Sequence, residues 1–246
     1  MQPPEPHPFT TAQKVYLWLA TIFIACLLIA DIVGIKLFRI QLPFTFLGFD
    51  AIEHTCGMLT FPITFLLTDL VNEYFGPRAA RRLTFMGLTA ATFVFIIMNI
   101  AQAMPYLEAP FNVRKESFDA IFGSAKVMYI ASLCAYLVGQ LSDIALFGFL
   151  KRLTGSRYVW LRATGSTVIS QLIDSFIVSY LAFSLGREIF ADPANPPAPV
   201  SAIPSIAITG YILKFVLALA ITPLIYLGRS IMERKFGLKP IPPAEA

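Results

Sequence analysis

Six stretches of this chain are each apolar for long enough to cross a bilayer: Val15–Leu37, Thr55–Phe75, Leu83–Met104, Ala125–Leu150, Val159–Leu185 and Ile203–Leu227. At about 1.5 Å of rise per residue, roughly 20 helical residues span a hydrocarbon layer of about 30 Å. Backbone polar groups inside lipid must be satisfied within the protein, so runs this long and this apolar are expected as helices. The composition agrees: 57% of the 246 residues are hydrophobic and 14% charged, with mean hydropathy +0.69, too few polar residues to coat a soluble domain. The expected fold is all-α, a polytopic bundle of six transmembrane helices forming one domain over residues 1–246. Residues 1–13 read as a disordered, Pro-rich lead-in, and 237–246 as a cytoplasmic tail.

Charge placement orients the bundle. Arg78, Arg81 and Arg82 follow the second stretch, Lys151, Arg152 and Arg157 follow the fourth, and Arg229, Arg234, Lys235 and Lys239 follow the sixth. The alternate connections mix their cations with acids, as in Arg114, Lys115, Glu116 and Asp119. The positive-inside rule then puts both termini and the two basic connections in the cytoplasm. The net charge of +4 is thus a topology signal, and cations that flank spans do not make a nucleic-acid surface. Cys26, Cys56 and Cys134 have no metal-ligand spacing and are expected to pack as small apolar side chains. Neither a metal nor a cofactor is expected.

Four carboxylates interrupt the apolar stretches: Asp31, Asp69, Asp143 and Asp174. An ionisable group in the bilayer interior costs at least about 2.5 kcal/mol, so several of them imply a polar cavity inside the bundle. Two sit in one pattern, Gln140-Leu141-Ser142-Asp143 and Gln171-Leu172-Ile173-Asp174. A spacing of three puts each Gln and Asp on one helix face. An amide donates and accepts while a carboxylate accepts, so either pair suits the edge of a planar, hydrogen-bonding solute. The other reading is that each pair bonds the neighbouring helix.

Asp69, Asn72 and Glu73 also share a face, with Glu73 near the interface and expected either to be solvated or to pair with Arg78 or Arg81. Lys214 lies too deep in the sixth stretch to reach water and is expected to meet Asp174 or Asp143, as an ion pair or as a ligand contact. The candidate substrate-binding residues are therefore Gln171, Asp174, Gln140, Asp143, Asn72 and Lys214. Asp69, Glu73 and Asp31 are the candidates for ion coupling or gating.

Prolines mark further features. Pro62 and Pro223 each remove a helical hydrogen bond, exposing the carbonyls of Met58 and Leu219 if both lie inside helices. The apolar connection 38–54 is expected to dip back onto the bundle, 105–124 to form a short interfacial helix or lid, and 191–204 an extended connector.

Phe61-Pro62-Ile63-Thr64-Phe65 followed by Thr68-Asp69-x-x-Asn72-Glu73-x-x-Gly76 resembles the signature of the bacterial queuosine precursor transporter family of six-span inner-membrane proteins. Similar to the same family are Phe118-Asp119-Ala120-Ile121-Phe122-Gly123 and Ala131-Ser132-x-x-Ala135-Tyr136-x-x-Gly139-Gln140-x-x-Asp143. Trp160-Leu161-Arg162, Ser166-Thr167 and Ser170-Gln171-x-x-Asp174-Ser175 extend the likeness, which runs from about Ile22 to Phe236. The resemblance implies import of 7-cyano- or 7-aminomethyl-7-deazaguanine for queuosine in tRNA. Such a solute has a flat ring for aromatic stacking. Its N–H and amine edge suits a carboxylate, and its carbonyl suits Gln or Lys.

Two other readings stand beside it. A substrate-capture subunit of an energy-coupling-factor vitamin importer would need a partner subunit and ATPases. An intramembrane enzyme would need a nucleophile or metal ligands, yet Gly-x-Ser-x-Gly is absent and the histidines are His7 and His54. No ATP-binding Gly-x-x-x-x-Gly-Lys loop is present either.

Overall fold

The computed structural model describes residues 9–34, 36–46, 49–122, 126–155, 157–190 and 196–242. Helix α1 spans Thr11–Val33 and starts earlier than the apolar pattern alone indicates. Thr10 and Gln13 form a reciprocal capping box, with bonds of 2.9 and 3.2 Å, so two otherwise orphaned N–H groups are satisfied. Residues 11–13 are therefore helical, and the first eight lie outside the described residues.

The apolar connection after α1 is a β-hairpin, a departure from an all-α fold. Strands β1 (Leu37–Phe46) and β2 (Phe49–Thr55) pair antiparallel from Leu37 opposite Thr55 to Gln41 opposite Ala51. The register shifts between Gln41 and Phe46, the interval that holds Pro43, whose missing N–H interrupts a ladder. A run rich in Phe, Ile and Leu is as compatible with a strand as with an apolar loop.

Helix α2 runs Phe61–Ala103 with a break at Gly76 (φ 85°, ψ 170°), a conformation open to glycine and strained for other residues. Pro62 falls in its first turn, where a missing N–H is harmless, so the expected breach at Met58 does not occur. The two limbs of α2 run in opposite directions along α1. Thr60 bonds the Cys26 carbonyl at 3.1 Å and Phe75 packs on Tyr16, while Tyr16 also bonds Ala79 and Gly87 lies against Phe23 and Leu27.

Helix α3 (Lys115–Phe122) is the short helix expected in the 105–124 connection. Helices α4 (Lys126–Leu153) and α5 (Val159–Tyr180) form the most intimate pair in the bundle. A π-helical turn, Leu181–Leu185, and the short α6 (Gly186–Phe190) follow, and α7 spans Ile203–Arg234 with Pro223 inside it. Residues 191–195 of the expected connector lie outside the described residues.

Among the described residues, five helical segments are long and apolar enough to cross a membrane: Thr11–Val33, Phe61–Ala103, Val127–Leu153, Val159–Ile189 and Val200–Arg234. Their packing inverts that of a soluble protein. Trp18, Phe93, Phe149 and Ile169 face outward, while Thr68, Asp69, Asn72, Gln140, Asp143, Ser170 and Gln171 are buried. Helix α5 shows the division within one element. Its Ser166, Ser170, Gln171 and Asp174 face in, with Leu172 and Phe176 facing out. An apolar core of Leu19, Phe23, Leu70, Val71, Leu83 and Tyr136 ties α1, both limbs of α2 and α4 together.

The chain also folds back after α7. Gly237 (φ 66°) turns it, with its N–H on the Glu233 carbonyl as in an αL helix end, and the Leu238 N–H bonds Met232. Ile241 N–H then donates to the Glu73 carbonyl at 2.9 Å. That carbonyl is available because Pro77, four residues on, has no N–H to offer it. The tail segment is thus docked through Ile241 against the break in α2.

Candidate functional site

The end of the bundle at Gly76 is closed by ion pairs. Glu73, on the last turn before the break, receives Lys151 Nζ of α4 at 3.1 Å and Arg162 Nη2 of α5 at 2.5 Å. All three side chains are buried. Arg162 also lies over the Phe147 ring at 5.7 Å. Glu73 is therefore neither solvated nor paired with Arg78 or Arg81, because the break turns those arginines away into the second limb. Tyr74 extends this closure to α7, donating to Glu233, which Arg229 holds at 2.7 Å.

One turn deeper the picture changes. Asp69 is buried, and its Oδ1 has no hydrogen-bond partner. Asp143 accepts from Thr167 at 3.3 Å and Ser170 at 3.1 Å through Oδ1, which leaves Oδ2 without a partner. Gln140 and Gln171 are almost wholly buried with both amide heavy atoms unpartnered, and Ser175 Oγ is in the same condition. Folded proteins pair nearly all buried polar groups, and each orphan costs about 1–3 kcal/mol. Five side chains in this state on adjacent turns of three helices form a belt ready to take hydrogen bonds from something other than the protein.

A partly open pocket adjoins this belt between the first limb of α2, α5 and α7. Its polar lining comprises Asp69, Thr164, Thr167, Gln171 and Lys214, and its apolar wall includes Phe61, Phe65 and Leu66. Phe61 and Phe65 pack with centroids 5.1 Å apart. Lys214 bonds Asp174 Oδ2 at 2.5 Å and lies 5.2 Å over the Phe61 ring. Asp174 is therefore the carboxylate across from Lys214, and it stands behind that ammonium relative to the pocket. Helix α4 passes close by, since a Cβ on Gly139 would lie 3.3 Å from that of Asp174.

The residues singled out from sequence are distributed unequally. Asp69, Gln171 and Lys214 meet in the pocket; Asp174 backs it; Gln140 and Asp143 belong to the belt. Asn72 donates to the Ile144 carbonyl at 3.3 Å and joins α2 to α4 instead of lining the pocket. Glu73 sits in the ion cluster. Asp31 stands apart, half-buried beside Tyr129 of α4, which bonds the second limb at Ala91.

Sequence reasoning did not assign roles to Lys151, Arg162, Thr164 and Thr167. Lys151 read as a loop charge. The signal for Arg162 was its spacing of four and eight from Ser166 and Ser170, which continues the polar face of α5.

Comparison with known proteins adds a family. The profile described as "Putative vitamin uptake transporter" matches residues 55–228, a stretch that includes the ion cluster, the belt and the pocket. The chain belongs to this family. It is 30% identical to the "Probable queuosine precursor transporter" of Bacillus subtilis (strain 168), over 72% of each chain. It is 31% identical to the "Queuosine precursor transporter" of Escherichia coli (strain K12), over 62% of this chain and 64% of that one. A Haemophilus influenzae relative, also named "Probable queuosine precursor transporter", is 30% identical over 62% of this chain and 63% of its own. No solved structure matches. Members of the vitamin uptake transporter family are named as transporters, not enzymes, and the spans make this chain a multi-pass protein of the bacterial inner membrane.

Proposed function

We propose that this protein imports a queuosine precursor, 7-cyano-7-deazaguanine or 7-aminomethyl-7-deazaguanine, through the pocket between α2, α5 and α7. The observation that carries the reading is Gln171, buried in the pocket wall with its amide oxygen and nitrogen both free of protein partners. A deazaguanine offers an adjacent carbonyl and N–H, the complement of one amide. Phe61 and Phe65 in the pocket wall add apolar surface suited to a flat ring.

Lys214 also addresses the solute carbonyl, and as it swings from Asp174 that carboxylate becomes the acceptor for the exocyclic amine. Phe61 and Phe65 flank the ring. Gln140 and Asp143 support the same belt from α4, and Asn72 holds α4 in place for them. Glu73 with Lys151 and Arg162 forms a gate at one end, Asp69 links gate to pocket, and Asp31 works on the opposite face against Tyr129.

Six crossings with both termini cytoplasmic complete the proposal. It is supported by the reversal of α2 at Gly76, which makes one long helix into two antiparallel limbs. Arg78, Arg81, Lys151 and Arg162 gather at that same end, the cytoplasmic one by the positive-inside rule.

The test uses cells that cannot synthesise the precursor, supplied with it at low concentration. The chain alone is expected to restore queuosine in tRNA. Failure despite confirmed membrane expression contradicts autonomous transport and directs the search to a partner subunit.

A further inference from the structure

Among the described residues, the buried acidic and basic side chains, with the half-buried Lys214, fall into two groups. Asp174 and its partner Lys214 are neutral together. The other group holds three carboxylates, Asp69, Glu73 and Asp143, against two cations, Lys151 and Arg162. Both cations are bonded to Glu73, so neither Asp69 nor Asp143 has a cation within bonding distance. The two aspartates are nevertheless neighbours, each beside Thr167.

With all five groups ionised, one net negative charge is left inside the bundle, and an uncompensated buried charge is among the most unfavourable features a protein can hold. The unpartnered atoms lie where that charge lies. Asp69 Oδ1 and Asp143 Oδ2 accept nothing, and Gln140, one turn from Asp143 on the same face, adds an unpartnered amide oxygen. Thr167 joins the two sides, lining the pocket with Asp69 while donating to Asp143.

We infer that Asp69 and Asp143, with the Gln140 amide beside them, form a site for one monovalent cation, coupled to the solute pocket through Asp69 and Thr167. A proton, a sodium ion or the primary ammonium of an aminomethyl solute shares the required chemistry, one positive charge with donors or coordination sites for oxygen. The cation neutralises the network, and because Asp69 also faces the solute, each occupant alters the affinity for the other. The site deepens the import reading but does not depend on the identity of the solute.

Proteoliposomes holding the full chain on a solid-supported membrane provide the test. A step in proton or sodium concentration, with no solute present, is expected to displace charge transiently in the wild type. The double variant Asp69→Asn, Asp143→Asn is expected to lose that displacement at least tenfold. If the solute ammonium is the natural cation, 7-aminomethyl-7-deazaguanine displaces charge while proton and sodium steps do not. Absence of displacement with all three in the wild type overturns the site, whatever the variant's folding; so does equal displacement in a well-folded double variant. A solute-free displacement together with no uptake of either deazaguanine would reject the solute and leave the cation site standing.

Discussion

Glu73 and Gln171 are both buried and polar, and they are satisfied in opposite ways. Glu73 is held by two cations and its own carbonyl by the Ile241 N–H, whereas the Gln171 amide meets nothing in the protein. The first arrangement spends its polar groups on other parts of the chain and so fastens α2, α4, α5 and the returning C-terminal segment together. The second leaves them unspent within a turn or two of the same helices. Proximity to a polar cluster therefore does not separate the two kinds of residue in this bundle, and on the proposed reading it is the wholly unpartnered amide that is left for the solute.

The contrast predicts unequal responses to substitution. The largest effect is expected at Glu73. Glu73→Gln removes the one carboxylate to which the buried Lys151 and Arg162 are bonded, a loss of about 3–5 kcal/mol. Thermal unfolding in detergent should show a steep drop, and an unchanged melting temperature would remove the ion cluster as a fastening. Next comes Asp174→Asn, expected to weaken precursor uptake at least tenfold, since charge-assisted hydrogen bonds are worth about 1.5–3 kcal/mol. The double variant Asp174→Asn, Lys214→Met should recover stability without recovering uptake. Recovery of uptake as well would make the pair structural.

Much of this division was legible in the residues. Gln171 and Asp174 at a spacing of three, on a helix whose other face is Leu172 and Phe176, announced a buried polar stripe, and the depth of Lys214 required the carboxylate it has. The partners of Glu73 were not legible, because Arg162 is 89 residues away and only the break at Gly76 decides which cations reach it. The hairpin was missed for a different reason. Pro43 and Gly48 read as loop signals and masked the alternation of Phe38-Arg39-Ile40-Gln41-Leu42, which the backbone pairing between Leu37 and Thr55 reveals. Pro62 misled by its position, since the same residue breaks a helix interior and begins a helix comfortably.

Smaller effects sharpen the comparison from the opposite side. Gln140→Leu removes two unpartnered amide atoms, so it should leave the melting temperature unchanged or raise it. A clear loss of stability would mean that Gln140 bonds a neighbouring helix. Truncation after Leu238 removes the Ile241 hydrogen bond to Glu73 and should cost about 1 kcal/mol, read as a small shift in thermal unfolding.

Equilibrium binding of 7-cyano-7-deazaguanine to purified wild type and Gln171→Leu, with melting temperatures recorded on the same samples, tests the central claim most directly. The wild type is predicted to bind one molecule per chain. The variant should bind at least tenfold more weakly while melting no lower, because its amide serves the solute and not the fold. Equal affinity in the two proteins, or a loss of affinity that merely follows a loss of stability, would contradict the account.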